Sequence, residues 1–448
     1  MERLATLIIV FMLTACNDGG DSGGSGGGDG VSAAPAVHYF MATDGVNGFE
    51  LWKTDGTEAG TVLVKDINPA GDSGAQEFTA FNGAVYFSAT DGVTGAELWK
   101  TDGTAAGTVL VKDINAGGSS SPSNFVILNG ALYFTANNGT DGYEFWKTDG
   151  TAAGTVLVKD INPAGDSVPQ GFTVFNGAVY FNATDGMNGP ELWKTDGTAA
   201  GTLQVKDINA GAVGSYPGGL TVLNGALYFS ANDGVNGAEL WKTDGTAVGT
   251  VLVKDINPAG DSVPQGFTVF NGAVYFSAND GVNGFNLWKT YGTAAGTVQV
   301  KDIGAGGFMV FNGALYFTAK DGVNGYELWK TDGTAAGTVL VKDIAPGAGG
   351  SNPLGFTVFN GALYFTATDG VNGTEPWKTD GTEAGTVLVK DINAGGSSWP
   401  SDFVILNGGL YFRADNSVDG GELWKTDGTA VGTVLVKDIC PGACSGRD

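Results

Sequence analysis

One tryptophan recurs on a schedule. Trp52, Trp99, Trp146, Trp193, Trp241, Trp288, Trp329, Trp377 and Trp424 mark nine copies of one unit, mostly 47 residues apart, and this repetition constrains the fold more than any other feature. One interval, Trp288 to Trp329, is six residues shorter, and the loss falls around Ile303 to Phe308, in the linker between units. A unit read from Phe78 to Ile114 holds four apolar runs with no helical period, separated by turn residues. Phe78 to Phe81 ends at Asn82-Gly83, a pair suited to a two-residue hairpin because both positions accept positive φ. Ala84 to Thr90 follows, then Glu97 to Thr101 after an Asp-Gly turn, and Thr108 to Ile114 after a second one. The unit is therefore expected to be a four-stranded antiparallel meander. Val85-Tyr86-Phe87 and Val109-Leu110-Val111 are apolar on both faces, so neighbouring units must cover each sheet from both sides. That requirement describes a β-propeller. The expected fold is all-β, a β-propeller of about nine four-stranded blades over residues 37–439. An eight-bladed ring with extra strands and an open array are the alternatives, because the first strand of the first unit is degenerate at Val31 to Ala36.

The string Glu97-Leu98-Trp99-Lys100-Thr101-Asp102-Gly103-Thr104 resembles the signature of the bacterial ELWxxDGT repeat proteins, from about Val37 to Ile439. That resemblance implies a repeat lipoprotein with propeller-like blades and no defined activity. A more distant likeness to TolB-like and kelch blades supports the propeller alone.

Upstream of the repeats, residues 1–15 read as a short export signal, with Arg3 ahead of an apolar stretch from Leu4 to Leu13. The stretch is too short for a retained membrane helix. Leu13-Thr14-Ala15-Cys16 resembles the bacterial lipobox, which implies lipidation of Cys16 as the first mature residue. Residues 16–36 form a Gly/Ser/Asp-rich tether that cannot bury apolar area. The localisation expected is the cell envelope, at the outer membrane or cell surface, with the lipid anchor as the sole membrane contact. Residues 440–448 form a tail in which Cys440 and Cys444 could pair as a disulfide.

Net charge is −25, which argues against nucleic acid as a partner because each phosphate contact needs a Lys or Arg. Catalysis needs unlike groups brought to one place, and repetition works against that. The sole histidine, His38, aligns with Val85 and reads as a strand residue. No cofactor is expected, with calcium as the one open possibility. Asp44, Asn47 and Glu50, with Asp91 and Glu97 in the next copy, offer oxygen ligands to a hard cation. The same residues also suit ordinary hairpin turns, and they lack the alternating acidic pattern of known calcium loops.

The Asp-Gly-x-x-Gly turns and the linkers between units should share one face of the ring, and only that face varies. Its linkers, among them Asn68 to Glu77, Asn115 to Asn124, Asn209 to Gly219 and Asn393 to Asp402, differ in length and composition. Tyr216 and Trp399 are aromatics without counterparts, suited either to ligand contact or to plugging their own blades. The function expected is a non-catalytic binding or adhesion scaffold for a surface glycan or protein. The alternatives are a structural envelope protein without a discrete ligand and a polysaccharide-active enzyme.

Overall fold

The structure is a computed structural model and describes residues 36–441. It is a nine-bladed β-propeller, and no helix occurs among the described residues. Blade 1 comprises β1 (His38–Thr43), β2 (Phe49–Thr54) and β3 (Val62–Lys65). Blade 2 comprises β4 (Gln76–Phe81), β5 (Ala84–Thr90), β6 (Ala96–Thr101) and β7 (Val109–Lys112), hydrogen-bonded in chain order. Seven further blades repeat the four-stranded plan. The first strand of each lies innermost and neighbours the first strands of adjacent blades.

The local chemistry follows the turns. Asn82 and Gly83 adopt φ of 48° and 77°, so Phe81 and Ala84 pair across a two-residue hairpin. Each fourth strand meets the third through a register shift, as between Leu98 and Trp99. Blade 8 departs from this pattern because Pro376 lacks an N–H, and its last strand shortens to Val387–Leu388. The six-residue deletion removes the linker between blades 6 and 7 and leaves a complete inner strand, Gly304–Phe311.

The core lies between blades and not inside any one of them. Phe81, Tyr86, Leu98, Val111 and Ile114 of blade 2 pack with Leu132, Phe134, Ala136 and Trp146 of blade 3, and homologous clusters fill the other junctions. Burying one such Phe or Leu contributes about 1.5–3 kcal/mol, so a blade taken alone would forfeit most of its stability. Polar contacts set the spacing. The fourth-strand lysine of each blade donates from Nζ to a threonine carbonyl of the next, from Lys65 to Thr108 through Lys390 to Thr433, in 2.6–2.8 Å bonds. The same ammonium lies over the neighbour's tryptophan, as Lys65 does over Trp99 at 5.7 Å. Each second-strand tyrosine also presses its hydroxyl against the Asp-Gly turn of the next blade. A Cβ on Gly197 would stand 2.0 Å from the Tyr133 hydroxyl, and φ there is +93°.

The ring closes by the same contacts. Lys437 donates to the Thr61 carbonyl at 2.8 Å and lies over Trp52, while Tyr411 donates to the Gly56 carbonyl at 3.2 Å. Blade 9 is built wholly from the last four strands, so among the described residues no strand is exchanged across the junction. Nine blades therefore replace the eight-bladed and open alternatives. The Val31 to Pro35 part of the degenerate first strand lies outside the described residues.

Closure predicts a cooperative penalty. Deleting residues 31–65 would bare the facing surfaces of blades 2 and 9 together, and the remainder should lose its single thermal transition and bind an apolar dye. Remaining blades that melt unchanged would instead indicate an open array.

Candidate functional site

The glutamate that opens each Glu-Leu-Trp strand is the anchor of the variable face. Glu50, Glu97, Glu144, Glu191, Glu239, Glu327 and Glu375 are fully buried. In blade 3, Glu144 accepts from the Ile161 N–H at 2.8 Å, the Ser167 N–H at 3.0 Å and the Ser167 hydroxyl at 2.6 Å. The hydroxyls of Ser120, Ser215, Ser262, Ser351 and Ser398 reach the equivalent carboxylates at 2.5–2.6 Å. Blade 6 supplies a natural control: Asn286 replaces the glutamate where the shortened linker has no serine.

Burial raises the pKa of these glutamates, pushing Glu144 and Glu422 up to about 7. A protonated Glu144 can donate to the Ser167 hydroxyl, which then donates to the Tyr143 carbonyl 3.1 Å away. The network accommodates either charge state.

After six of the seven buried linker serines comes one outward residue and then a buried proline. Ser121, Val168, Tyr216, Val263, Asn352 and Trp399 occupy this place, with φ of 44–49°. Gly74 holds it in blade 2, ahead of buried Ala75. Residues before proline avoid compact conformations, and positive φ is foreign to a β-branched side chain, so Val168 and Val263 are strained by about 1–3 kcal/mol each. The strain is held by hydrogen bonds. The N–H of the outward residue donates to the carbonyl that opens the third strand, at 3.0 Å from Val168 to Tyr143 and 3.2 Å from Trp399 to Thr374. Tyr216 is 61% exposed and Trp399 64% exposed, so neither ring plugs its blade. Pro217 and Gly218, just past Tyr216, line a recess of about 510 Å³ in the channel wall with Phe172, Phe267 and Phe308. Each outward residue stands two residues before the innermost strand of its blade, as Tyr216 does before Gly218 and Trp399 before Ser401.

The Asp-Gly turns share this face: Gly92 abuts the Asn68 side chain of the adjoining linker, and Phe49 N–H donates to Asp72. Their tips are apolar and bare, with Val46, Val93, Met187, Val235, Val282, Val323, Val371 and Val418 each 73–88% exposed. One face thus carries an inner circle of dissimilar residues and an outer circle of aliphatic tips, a surface composition associated with binding.

The candidate cation ligands do not converge. Asp44 accepts from the N–H groups of Val46 and Asn47 and from the Asn47 amide, and Asp91 accepts from Val93 and Thr94. Glu50 and Glu97 point inward to the Ile67 and Ile114 N–H groups. Among the described residues no group of three or more His, Cys, Asp or Glu is placed to hold a metal. Cys440 is disulfide-bonded and 2% exposed, whereas Cys16 and Cys444 lie outside the described residues. The serine-x-proline loop escaped the sequence reading. Its signal was available, since a serine recurs 23 or 24 residues after the Glu in all eight units that carry that Glu and both are missing together in the sixth.

No protein-family model matches this chain, and no curated protein matches it. Among solved structures, a computationally designed protein, Ika8, is similar at TM-score 0.44 and 13% identity, covering 77% of this chain and 94% of its own. A puromycin hydrolase gives 0.40 and 12% over 72% of this chain, and oligopeptidase B from Leishmania major 0.42 and 11% over the same share. The chain spans about half the length of these last two, 53% and 49%. Likeness at this level assigns no activity.

The buried glutamates set a pH dependence. Their stabilising contribution is fully present below 4.5, the ordinary glutamate value, and is lost as pH rises through about 7 for Glu144 and Glu422. Turn aspartates such as Asp55, held down by the Thr57 hydroxyl and N–H, act oppositely and lose their contribution as pH falls below 3.8. The melting temperature should therefore peak near pH 5 and decline towards pH 8; a rise over that range would contradict the network. Ser167→Ala should cost about 1–3 kcal/mol in chemical denaturation, by leaving the Glu144 carboxylate short of a buried donor.

Proposed function

We propose that this protein is a lipid-anchored, non-catalytic binding scaffold of the bacterial envelope, related to the ELWxxDGT repeat proteins, and that it engages ligand through the linker face. The observation that carries this reading is the contrast between the loops' frames and their tips. Serine, proline and buried glutamate recur to hold the backbone, while the residue they hold outward changes from Ser to Val, Tyr, Asn and Trp. Strain that is maintained around an exposed, variable side chain is expected at a recognition surface. Tyr216 and Trp399 are its strongest contacts, offering large apolar area at low entropy cost to a sugar ring or a protein. The lipobox-like stretch at Cys16 and the polar tether after it support anchorage at the outer membrane or cell surface.

Two measurements test the parts separately. Tyr216→Ala with Trp399→Ala should weaken binding to envelope glycans or intact cells by about tenfold or more while the melting temperature stays unchanged. Unchanged binding would remove this face as the site. Cys16→Ser should release the protein from the membrane fraction, and an unmodified N-terminal peptide from the wild-type chain would contradict the anchor.

A further inference from the structure

Two departures from the repeat meet at one place in the channel wall, where blade 4 (170–206) adjoins blade 5 (218–254). The innermost strand of a blade bulges at a left-handed residue followed by an apolar one, as at Gly171-Phe172 in blade 4 and Gly266-Phe267 in blade 6. Seven of the eight described inner strands place Phe at the second position, from Phe78 in blade 2 to Phe403 in blade 9. Leu220 of blade 5 is the exception.

That Phe has a partner across the junction. In blades 6 to 9 its ring lies on the left-handed glycine of the preceding blade. A Cβ on Gly219 would stand 2.5 Å from Phe267, and one on Gly266, Gly307 or Gly355 would stand 3.2, 3.6 or 3.5 Å from Phe308, Phe356 or Phe403. Between blades 4 and 5 the glycine is present and the ring is not. A Cβ on Gly171 would meet no described atom within 4 Å, because Leu220 lacks the outer atoms of a phenyl ring.

The blade 4 side of this gap is reset as well. Phe145 stands where most blades have Leu, and it stacks on Phe181 at 5.1 Å and 1°. Phe172 is turned nearly perpendicular to both, at 87° and 88°. In six other blades the inner-strand Phe tilts by only 36–51° on its own partner. The gap opens into the recess of about 510 Å³, which Gly171, Phe172, Leu220, Phe267 and Phe308 line together with three threonines. Thr221 and Thr268 donate their hydroxyls to the Gly219 and Gly266 carbonyls at 3.2 and 3.3 Å. The Thr173 hydroxyl, two residues from Gly171, has no hydrogen-bond partner among the described residues.

We propose that the gap between Gly171 and Leu220 binds a phenol, a neutral aromatic ring with one hydroxyl, in the place that a Phe ring takes at other junctions. Thr173 pairs the hydroxyl. The chemistry of the walls selects this class. Phenyl rings and glycine backbone favour a flat apolar ring, and no Lys, Arg, Asp or Glu stands in the lining to balance an ion. A sugar ring would carry several hydroxyls into a gap where Thr173 is the one threonine left without a partner. The apolar wall with a single placed polar group is the usual composition of a small-molecule pocket. The inference does not rest on the linker-face reading, since neither Tyr216 nor Trp399 is part of the lining.

The test titrates the purified protein with p-cresol and reads saturable binding by calorimetry, with toluene and methyl β-glucoside as comparisons. Leu220→Phe restores the residue of the other blades, so it should leave the melting temperature unchanged or raised. By filling the gap it should weaken p-cresol by about tenfold or more. Thr173→Val installs the side chain that Val126 and Val404 carry at this position in blades 3 and 9. It should weaken p-cresol by about three- to tenfold and leave toluene unchanged, and it provides the readout if the first variant misfolds. The proposal is overturned if the wild-type protein does not bind p-cresol, or if a folded Leu220→Phe variant binds it as tightly. Binding of the glucoside that Leu220→Phe abolishes would overturn the aromatic class. None of these outcomes bears on the variants at Tyr216 and Trp399.

Discussion

The structure depends on one contact repeated around the ring: a sheet that is apolar on both faces meets its neighbour through a lysine, a tryptophan, a tyrosine and a glycine. The lysine spans the junction to a threonine carbonyl and shields the indole, and the tyrosine hydroxyl occupies space that only a glycine turn leaves free. Because the apolar clusters lie at the junctions, stability belongs to pairs of blades. A last blade without a partner would leave Leu406, Tyr411 and Val436 uncovered, so the array must close on itself. Among the described residues closure runs through side chains, from Lys437 and Tyr411 of blade 9 to blade 1.

Packing restricts where the sequence can vary. Residues that face a junction are largely the same in every unit, with Asn286 and Pro376 as exceptions, whereas most variation falls where the ring meets solvent. The serine-x-proline loop shows the division within three residues: serine and proline are buried, and the residue between them is free to differ. A loop held at three points can present a different side chain in each blade without altering its neighbours. Ligand chemistry can thereby change independently of the scaffold.

Much of this was legible before any coordinates. The Asn-Gly pairs, the alternation of apolar runs and the tryptophan period were sufficient to place strands and blades, because each reflects local backbone chemistry. The linker face was legible as the variable one. What was not legible depends on contacts distant in sequence. Glu50 and Glu97 had the spacing of cation ligands with Asp44 and Asp91, and nothing local shows that they turn inward to the next linker's backbone. Tyr216 and Trp399 looked unique as residues, but their positions are common to the loop, and the choice between display and plugging required knowing their φ. The blade count was obscured by the degenerate stretch at Val31 to Ala36, since closure is decided by Lys437 and Tyr411 at the far end of the chain.

The central claim is that a closed ring holds an outward residue rigidly in each linker. Amide hydrogen exchange tests it at the N–H groups of Val168, Tyr216, Val263, Asn352 and Trp399, each of which donates to a third-strand carbonyl. The account predicts that these amides, though they sit in surface loops beside exposed side chains, exchange as slowly as the core strands and only through unfolding of the whole ring. Exchange as fast as that of the bare Asp-Gly turn tips would show that the loops open independently, and the frame described here would not be what presents Tyr216 and Trp399.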